Sequence, residues 1–177
     1  MPYTGQPSKR FEDPRLLIGQ GSYVDDIKLL GMLHALVLRS PHAHARITSI
    51  DISEAVRTPG VVAVFTAADI TGVSQILPTR MENREYDHMR PPPHPVLAAD
   101  KVAYVGQAVA VVVADDLQSA RDGLEQILVD YEPLPSVIDP AQGLLPDAPV
   151  VHTDIAGNLA LQTINSGGDL DSAFIQA

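Results

Sequence analysis

Two uncharged, unbroken runs constrain this chain more than anything else in it: Val-Val-Ala-Val-Phe-Thr at 61–66 and Ala-Val-Ala-Val-Val-Val at 108–113. A half-exposed strand would alternate apolar and polar residues, whereas continuous β-branched runs of this length read as strands buried on both faces. Each run leads into an acidic residue that opens a helical pattern, so 62–70 and 109–117 share one strand-to-helix device. After the second run the spacing predicts a helix over 116–128, capped by Asp115 with Gln118 as its reciprocal partner. Leu117, Ala120, Leu124, Ile127 and Leu128 form its apolar stripe, while Gln118, Arg121, Asp122 and Glu125 face water. Gly123, inside the helix, costs about 1 kcal/mol against alanine.

Further strands are predicted at 32–39, 46–52, 102–105 and 128–131, with one helical turn at 53–57 before the Pro59-Gly60 turn. The fold class is therefore α+β, a mixed sheet with one main amphipathic helix. Residues 1–22 read as an arm, polar and proline-bearing, with a short apolar patch at Leu16, Leu17 and Ile18. Gly19-Gln20-Gly21 is a turn: the third glycine of a dinucleotide fingerprint is missing and no strand precedes it. Residues 72–95 hold mixed charges and Pro91-Pro92-Pro93, a long surface loop of a kind that is often functional. From Asp139 the pattern is loop-like, with a strand predicted at 159–164 and a short helix at 170–177. Phe174 and Ile175 find no later element to cover them, so 23–140 is expected to be compact and 145–177 loosely held.

The 177 residues can bury roughly 70% of their unfolded surface, and 45% of them are hydrophobic, enough for a core without staples. There is no cysteine, which removes disulfides, thiolate nucleophiles, thiolate zinc sites and any iron–sulfur cluster ligated by this chain. A net charge of −10 disfavours nucleic-acid binding. No apolar run reaches the ~18 residues of a membrane span, and the start lacks a signal peptide's apolar stretch, so a cytoplasmic location is expected.

Catalytic candidates are scarce. His34, His42 and His44 invite a metal reading, but zinc needs three or four ligands and a defined pocket, and a structural role at a strand end competes with it. No Gly-x-Ser-x-Gly is present. The carboxylate pairs Asp25-Asp26, Asp115-Asp116 and Asp130 with Glu132 suit caps and solvent. Gly106 and Gln107 stand between two apolar strands, where a glycine marks a bulge or a close approach. Gln107 there either faces a cavity or partner or satisfies a bulged backbone. No catalytic or metal-ligating residue is assigned.

Several phrases in fixed order carry more. They are Gly19-Gln-Gly-Ser-Tyr-Val-Asp-Asp26, Gly31-Met-Leu-His34, Arg39-Ser-Pro-His-Ala-His-Ala-Arg-Ile47, Pro59-Gly-Val-Val-Ala-Val-Phe-Thr66, Val102-Ala-Tyr-Val-Gly-Gln-Ala-Val-Ala110 and Val129-Asp-Tyr-Glu-Pro-Leu-Pro-Ser-Val137. Together, over residues 10–140, they resemble the a/b hammerhead domain that opens the molybdopterin-binding large subunit of the xanthine dehydrogenase, aldehyde oxidase and carbon monoxide dehydrogenase family. Asn158-Leu-Ala-Leu161 and Gly168-Asp-Leu-Asp-Ser-Ala-Phe174 resemble the lead-in to its molybdenum-binding domain. The resemblance implies three segments: an arm at 1–22, a hammerhead at 23–140, and at 141–177 a linker with the interrupted start of the molybdopterin-binding domain.

It also implies an oxidoreductase that hydroxylates an aldehyde, an N-heterocycle or carbon monoxide with water as oxygen source. Its molybdenum sits on molybdopterin, alone or as the cytosine dinucleotide, and passes electrons to [2Fe–2S] clusters and FAD on other domains or subunits. The partners implied are the rest of the molybdenum-binding subunit, an iron–sulfur subunit and an FAD subunit. The family's glycine-rich pterin segment and catalytic Glu have no counterpart here, so the chain alone is expected to bind no molybdenum, iron or flavin and to be inactive. The loop at 72–95 is expected near the substrate entrance. Ala108 stands where the family often has proline. The competing reading is a non-catalytic interaction module that packs against partner oxidoreductase subunits.

Overall fold

A computed structural model of the chain describes residues 5, 7, 9–74, 77, 90–162, 168–169, 172 and 174–175. It divides into two compact units, Met1–Met32 and Leu33–Ala177.

In the first unit a short helix α1, Asp13–Leu17, begins with Pro14 in its first turn, where a missing N–H costs nothing. Gly19, at φ +74°, ends it, and the Gln20 N–H returns to the Arg15 carbonyl at 2.8 Å, the turn expected there. A single 3₁₀ turn at Val24–Asp26 follows, with the Asp26 carboxylate accepting the Tyr23 N–H at 2.9 Å.

Among its described residues the second unit holds six strands: β1 His34–Arg39, β2 Ala45–Asp51, β3 Val61–Thr66, β4 Lys101–Val102, β5 Ala108–Ala114 and β6 Leu128–Pro133. Among the described residues α2 Ser53–Arg57, α3 Ala67–Ile70 and α4 Leu117–Glu125 lie between strands, and α5 Pro140–Gly143 follows β6. The named strands form two antiparallel three-stranded sheets, ordered β1-β5-β3 and β4-β2-β6, rather than one mixed sheet. Successive strands therefore alternate between the sheets. The apolar run of β5 becomes the centre of the first sheet, flanked by β1 and β3.

The helix α4 packs on one face of that sheet. Val112, Ala110, Val64 and Ala55 are buried beneath it with Ile127, and Leu124 and Val61 close the edge. Ile50 and Val129, from the second sheet, reach this core and also a second one formed by Ala45, Ala98, Val102 and Val109. Helix and sheet meet so closely that a Cβ on Gly123 would lie 2.6 Å from Val61 Cγ2 and 3.2 Å from Val112 Cγ1. The glycine that helix propensity disfavours is the one that close packing requires.

Several expectations need correction. The N-cap of α4 is Asp116, whose carboxylate accepts the Ser119 N–H at 2.9 Å and its hydroxyl at 2.8 Å. Asp115 instead gives its N–H to the Gly60 carbonyl at 2.9 Å, which keeps it tied to the strand end. Gln118 donates along the helix to Asp122 at 2.8 Å. The helix stops at Glu125, and Leu128 is a strand residue, 65% exposed. The strand expected at 102–105 ends at Val102, because residues 103–107 turn.

The chain does not loosen at 145. Asn158 accepts the Val151 N–H and donates to the carbonyls of Gly143 and Pro149, all at 2.9–3.0 Å, and Ile155 is buried. Residues 159–162 form no strand; 163–167 and most of 170–177 lie outside the described residues, as do 75–76 and 78–89 of the long loop.

Candidate functional site

Of the residues singled out in the sequence, His42, His44, Gly106 and Gln107 stand at one corner of the second unit, while His34 stands at the other end of β1. The chain leaves β1 at Ser40 and enters β2 at Ala45, and between them run Pro41 and the two histidines. Ser40, almost fully buried, pairs with the turn before β5: its N–H donates to the Gln107 carbonyl at 2.9 Å, and Gly106 N–H donates to its carbonyl at 2.8 Å. The Ser40 hydroxyl accepts the His42 N–H at 3.0 Å. Arg39 Nη1 donates to the Gly106 carbonyl at 2.8 Å.

Gly106 sits at φ +89°, a left-handed conformation that other residues rarely adopt, and the space beside its Cα is open. Gln107 is buried, and its Oε1 accepts the Ala103 N–H at 2.7 Å. That bond closes the turn between β4 and β5, so the side-chain oxygen serves the bent backbone.

The three histidines go to three different partners. His34 opens β1 opposite Ala114. His42 lies against Tyr131 with ring centroids 4.8 Å apart. Burial pushes the Tyr131 phenol up from its ordinary value, against the hydrogen bond with Ser40 that lowers it. His44 is buried; its Nδ1 meets the Pro135 carbonyl at 2.6 Å and so carries the proton, and its carbonyl accepts the Leu134 N–H at 2.9 Å. His44 Nε2 is buried without a hydrogen-bond partner.

Nearby, Lys101 Nζ donates to the Val151 carbonyl at 2.5 Å. Burial holds His152 below the ordinary imidazole value, Lys101 adds to this, and Asp154 opposes it. His152 lines a cavity of about 370 Å³ with Pro92, Val137, Leu144, Val151 and Ile155.

Ser40, Lys101 and Asn158 carry much of this corner and were not singled out in the sequence. Their work is done through backbone carbonyls and N–H groups distant in the chain, which leave no local pattern. Only Ser40, placed directly before a proline at a strand end, carried a turn signal.

The donor set does not fit an iron–sulfur cluster. Iron–sulfur clusters need thiolates, and the chain has no cysteine. Among the described residues no group of three or more His, Asp or Glu stands close enough to hold a metal. Most of the polar atoms at the corner are engaged in fastening chain crossings, and the arrangement offers no paired nucleophile and base. No helix among the described residues is long and apolar enough to cross a membrane.

The second unit is an α+β body whose chain passes back and forth between two antiparallel sheets, with most of the polar groups of its corner engaged by its own backbone. Residues 18–135 of the chain match the family model described as the aldehyde oxidase and xanthine dehydrogenase a/b hammerhead domain. The chain is 47% identical over 152 residues to the carbon monoxide dehydrogenase large chain of Afipia carboxidovorans, covering 85% of this chain and 18% of that one. Among solved structures it is similar to quinoline 2-oxidoreductase from Pseudomonas putida 86, at TM-score 0.80 and 40% identity over 90% of this chain and 20% of that one. It is similar also to a Cu,Mo-containing CO dehydrogenase, at TM-score 0.71 and 44% identity over 88% and 19%. The chain belongs to the aldehyde oxidase and xanthine dehydrogenase family, and it spans about a fifth of the length of the relatives it matches.

Proposed function

We propose that this chain serves as the amino-terminal structural portion of a molybdenum hydroxylase large subunit and has no catalytic activity by itself. One observation carries the reading: a hammerhead match over 18–135, in a chain that covers only 18% of its carbon monoxide dehydrogenase relative. Two further facts support it. The polar residues at the Gly106-Gln107 corner serve backbone crossings, and the chain has no thiolate for a cluster. In the full assembly, molybdenum on molybdopterin, [2Fe–2S] clusters and FAD would be held by other domains or subunits, and the chemistry would be hydroxylation with water as oxygen source. The domain's task is then to shape and support the subunit that holds the molybdenum.

Elemental analysis and the visible spectrum of the purified chain test this. Substoichiometric molybdenum and iron, and no flavin absorbance, are expected after expression in a host that makes the cofactor. Molybdenum at one equivalent per chain would overturn the reading.

A further inference from the structure

The sheet β1-β5-β3 has one closed face and one open face. On the closed face Leu36, Val112 and Val64 stand opposite one another in register, and Val112 and Val64 lie in the core cluster with Ala55. The alternate positions make two other cross-strand rows, Ala35, Val113 and Ala63, then Val37, Val111 and Phe65. Directly opposed residues of an antiparallel sheet share a face, and successive residues alternate, so these six stand together on the far side. None carries a charge or a hydrogen-bonding side chain, and none belongs to either core cluster. Val37 is 36% exposed and Phe65 41%.

The run in β5 therefore contains more apolar surface than this unit covers. Its sequence reads as buried on both faces, yet Val111 and Val113 remain only half-buried. An uncharged six-residue sheet face in a chain of net charge −10 is a docking surface or an aggregation hazard.

We propose that this open face is the seat of the remainder of the large subunit, a folded domain that lays an uncharged apolar surface across the two rows. This rests on the function proposed above and specifies the contact. The length of the relatives argues for this occupant: about four-fifths of the carbon monoxide dehydrogenase large chain lies outside the matched region. Joined in one polypeptide, as in that relative, such an occupant would meet the face at high effective concentration, which a second copy of this chain would not.

The test co-expresses the full 177-residue chain with the separately encoded downstream portion of the Afipia carboxidovorans large chain and measures co-purification. The variants are Val37→Lys and Phe65→Lys, on the two outer strands, with Arg121→Ala and Glu125→Ala on the exposed side of α4 as controls. Circular dichroism melting of each variant alone shows whether it folds. The expected result is a folded chain in every case, a drop of about tenfold or more in recovery for each lysine variant, and wild-type recovery for the controls. If folded lysine variants co-purify as well as wild type, the face is not the seat and the proposal is wrong while the functional reading stands. A wild-type chain that fails to co-purify at all sinks both. A wild-type chain that forms a dimer on its own, made monomeric by Phe65→Lys, assigns the face to a second copy and overturns the proposal.

Discussion

His44 holds the corner through one nitrogen. Its Nδ1–H donates to the Pro135 carbonyl while Nε2 lies buried with no partner. Replacing the ring by alanine leaves that carbonyl without its donor and opens a small void, so His44→Ala is expected to lower stability by about 2 kcal/mol. His44→Asn places an amide donor near the position of Nδ1 and removes the stranded acceptor, and urea unfolding should show it within about 1 kcal/mol of wild type. Equal losses in the two variants would mean that the hydrogen bond is not what holds the corner. At Gly123 two effects compete. Alanine gains about 1 kcal/mol in helix propensity, but overpacking of a filled core costs about 1–3 kcal/mol. The contact with Val61 Cγ2, a stiff β-branched side chain, lets the second win. Gly123→Ala is expected to destabilise, and Gly123→Ala with Val61→Ala to recover part of the loss. At this scale the sequence was half legible. Gly106 and Gln107 announced a bend, but the partner of Gln107, the Ala103 N–H, is set by a turn that local pattern does not reveal. The proper value of Gly123 depends on a strand 62 positions away.

Elements were more readable than their ends. The residues of β3 stand where the apolar run put them, and α2 where the turn before Pro59-Gly60 put it. The end positions failed where two acids compete for one cap: Asp115 and Asp116 are adjacent, and the tie of the Asp115 N–H to Gly60 decides between them. Asp116→Ala should lower the melting temperature by a few degrees, and Asp116→Asn, which can still accept from Ser119, should restore most of it. Asp116, the Asp69 partner of Thr66, and Asp51 contribute to the acid limb of stability. The Ser119 backbone N–H lowers Asp116, the Thr66 backbone N–H lowers Asp69, and the Ser53 hydroxyl lowers Asp51, each below its ordinary value. In each case the unfolded chain binds the proton more readily. Their contribution is complete above about pH 4 and fades as the pH falls through the lower folded values. His152 acts earlier. Burial lowers its value in the fold, so the unfolded chain binds the proton more readily and stability falls as the pH drops below about 6.5. Urea midpoints between pH 7 and 5 should decline in wild type and stay flatter in His152→Gln; identical slopes would remove His152 from the account.

For the whole molecule, the phrases spread over residues 10–140 led to the hammerhead family, and the family model matches 18–135. The pairing of strands was not legible, because nothing in a strand's own residues states which sheet it joins. The alternation between two antiparallel sheets emerges from contacts such as Ile50 with Val129, far apart in the chain. The hold on residues 143–160 was missed for a similar reason: it depends on one side chain, Asn158, bonding three backbone groups at once. A chimera tests the central claim, that the chain is a structural portion of a molybdenum-binding subunit, most directly. This chain replaces the matching region of the Afipia carboxidovorans carbon monoxide dehydrogenase large chain, and the purified subunit is assayed for molybdenum per polypeptide. Molybdenum near the level of the unaltered large chain is the result expected. A soluble, folded chimera that carries none would contradict it.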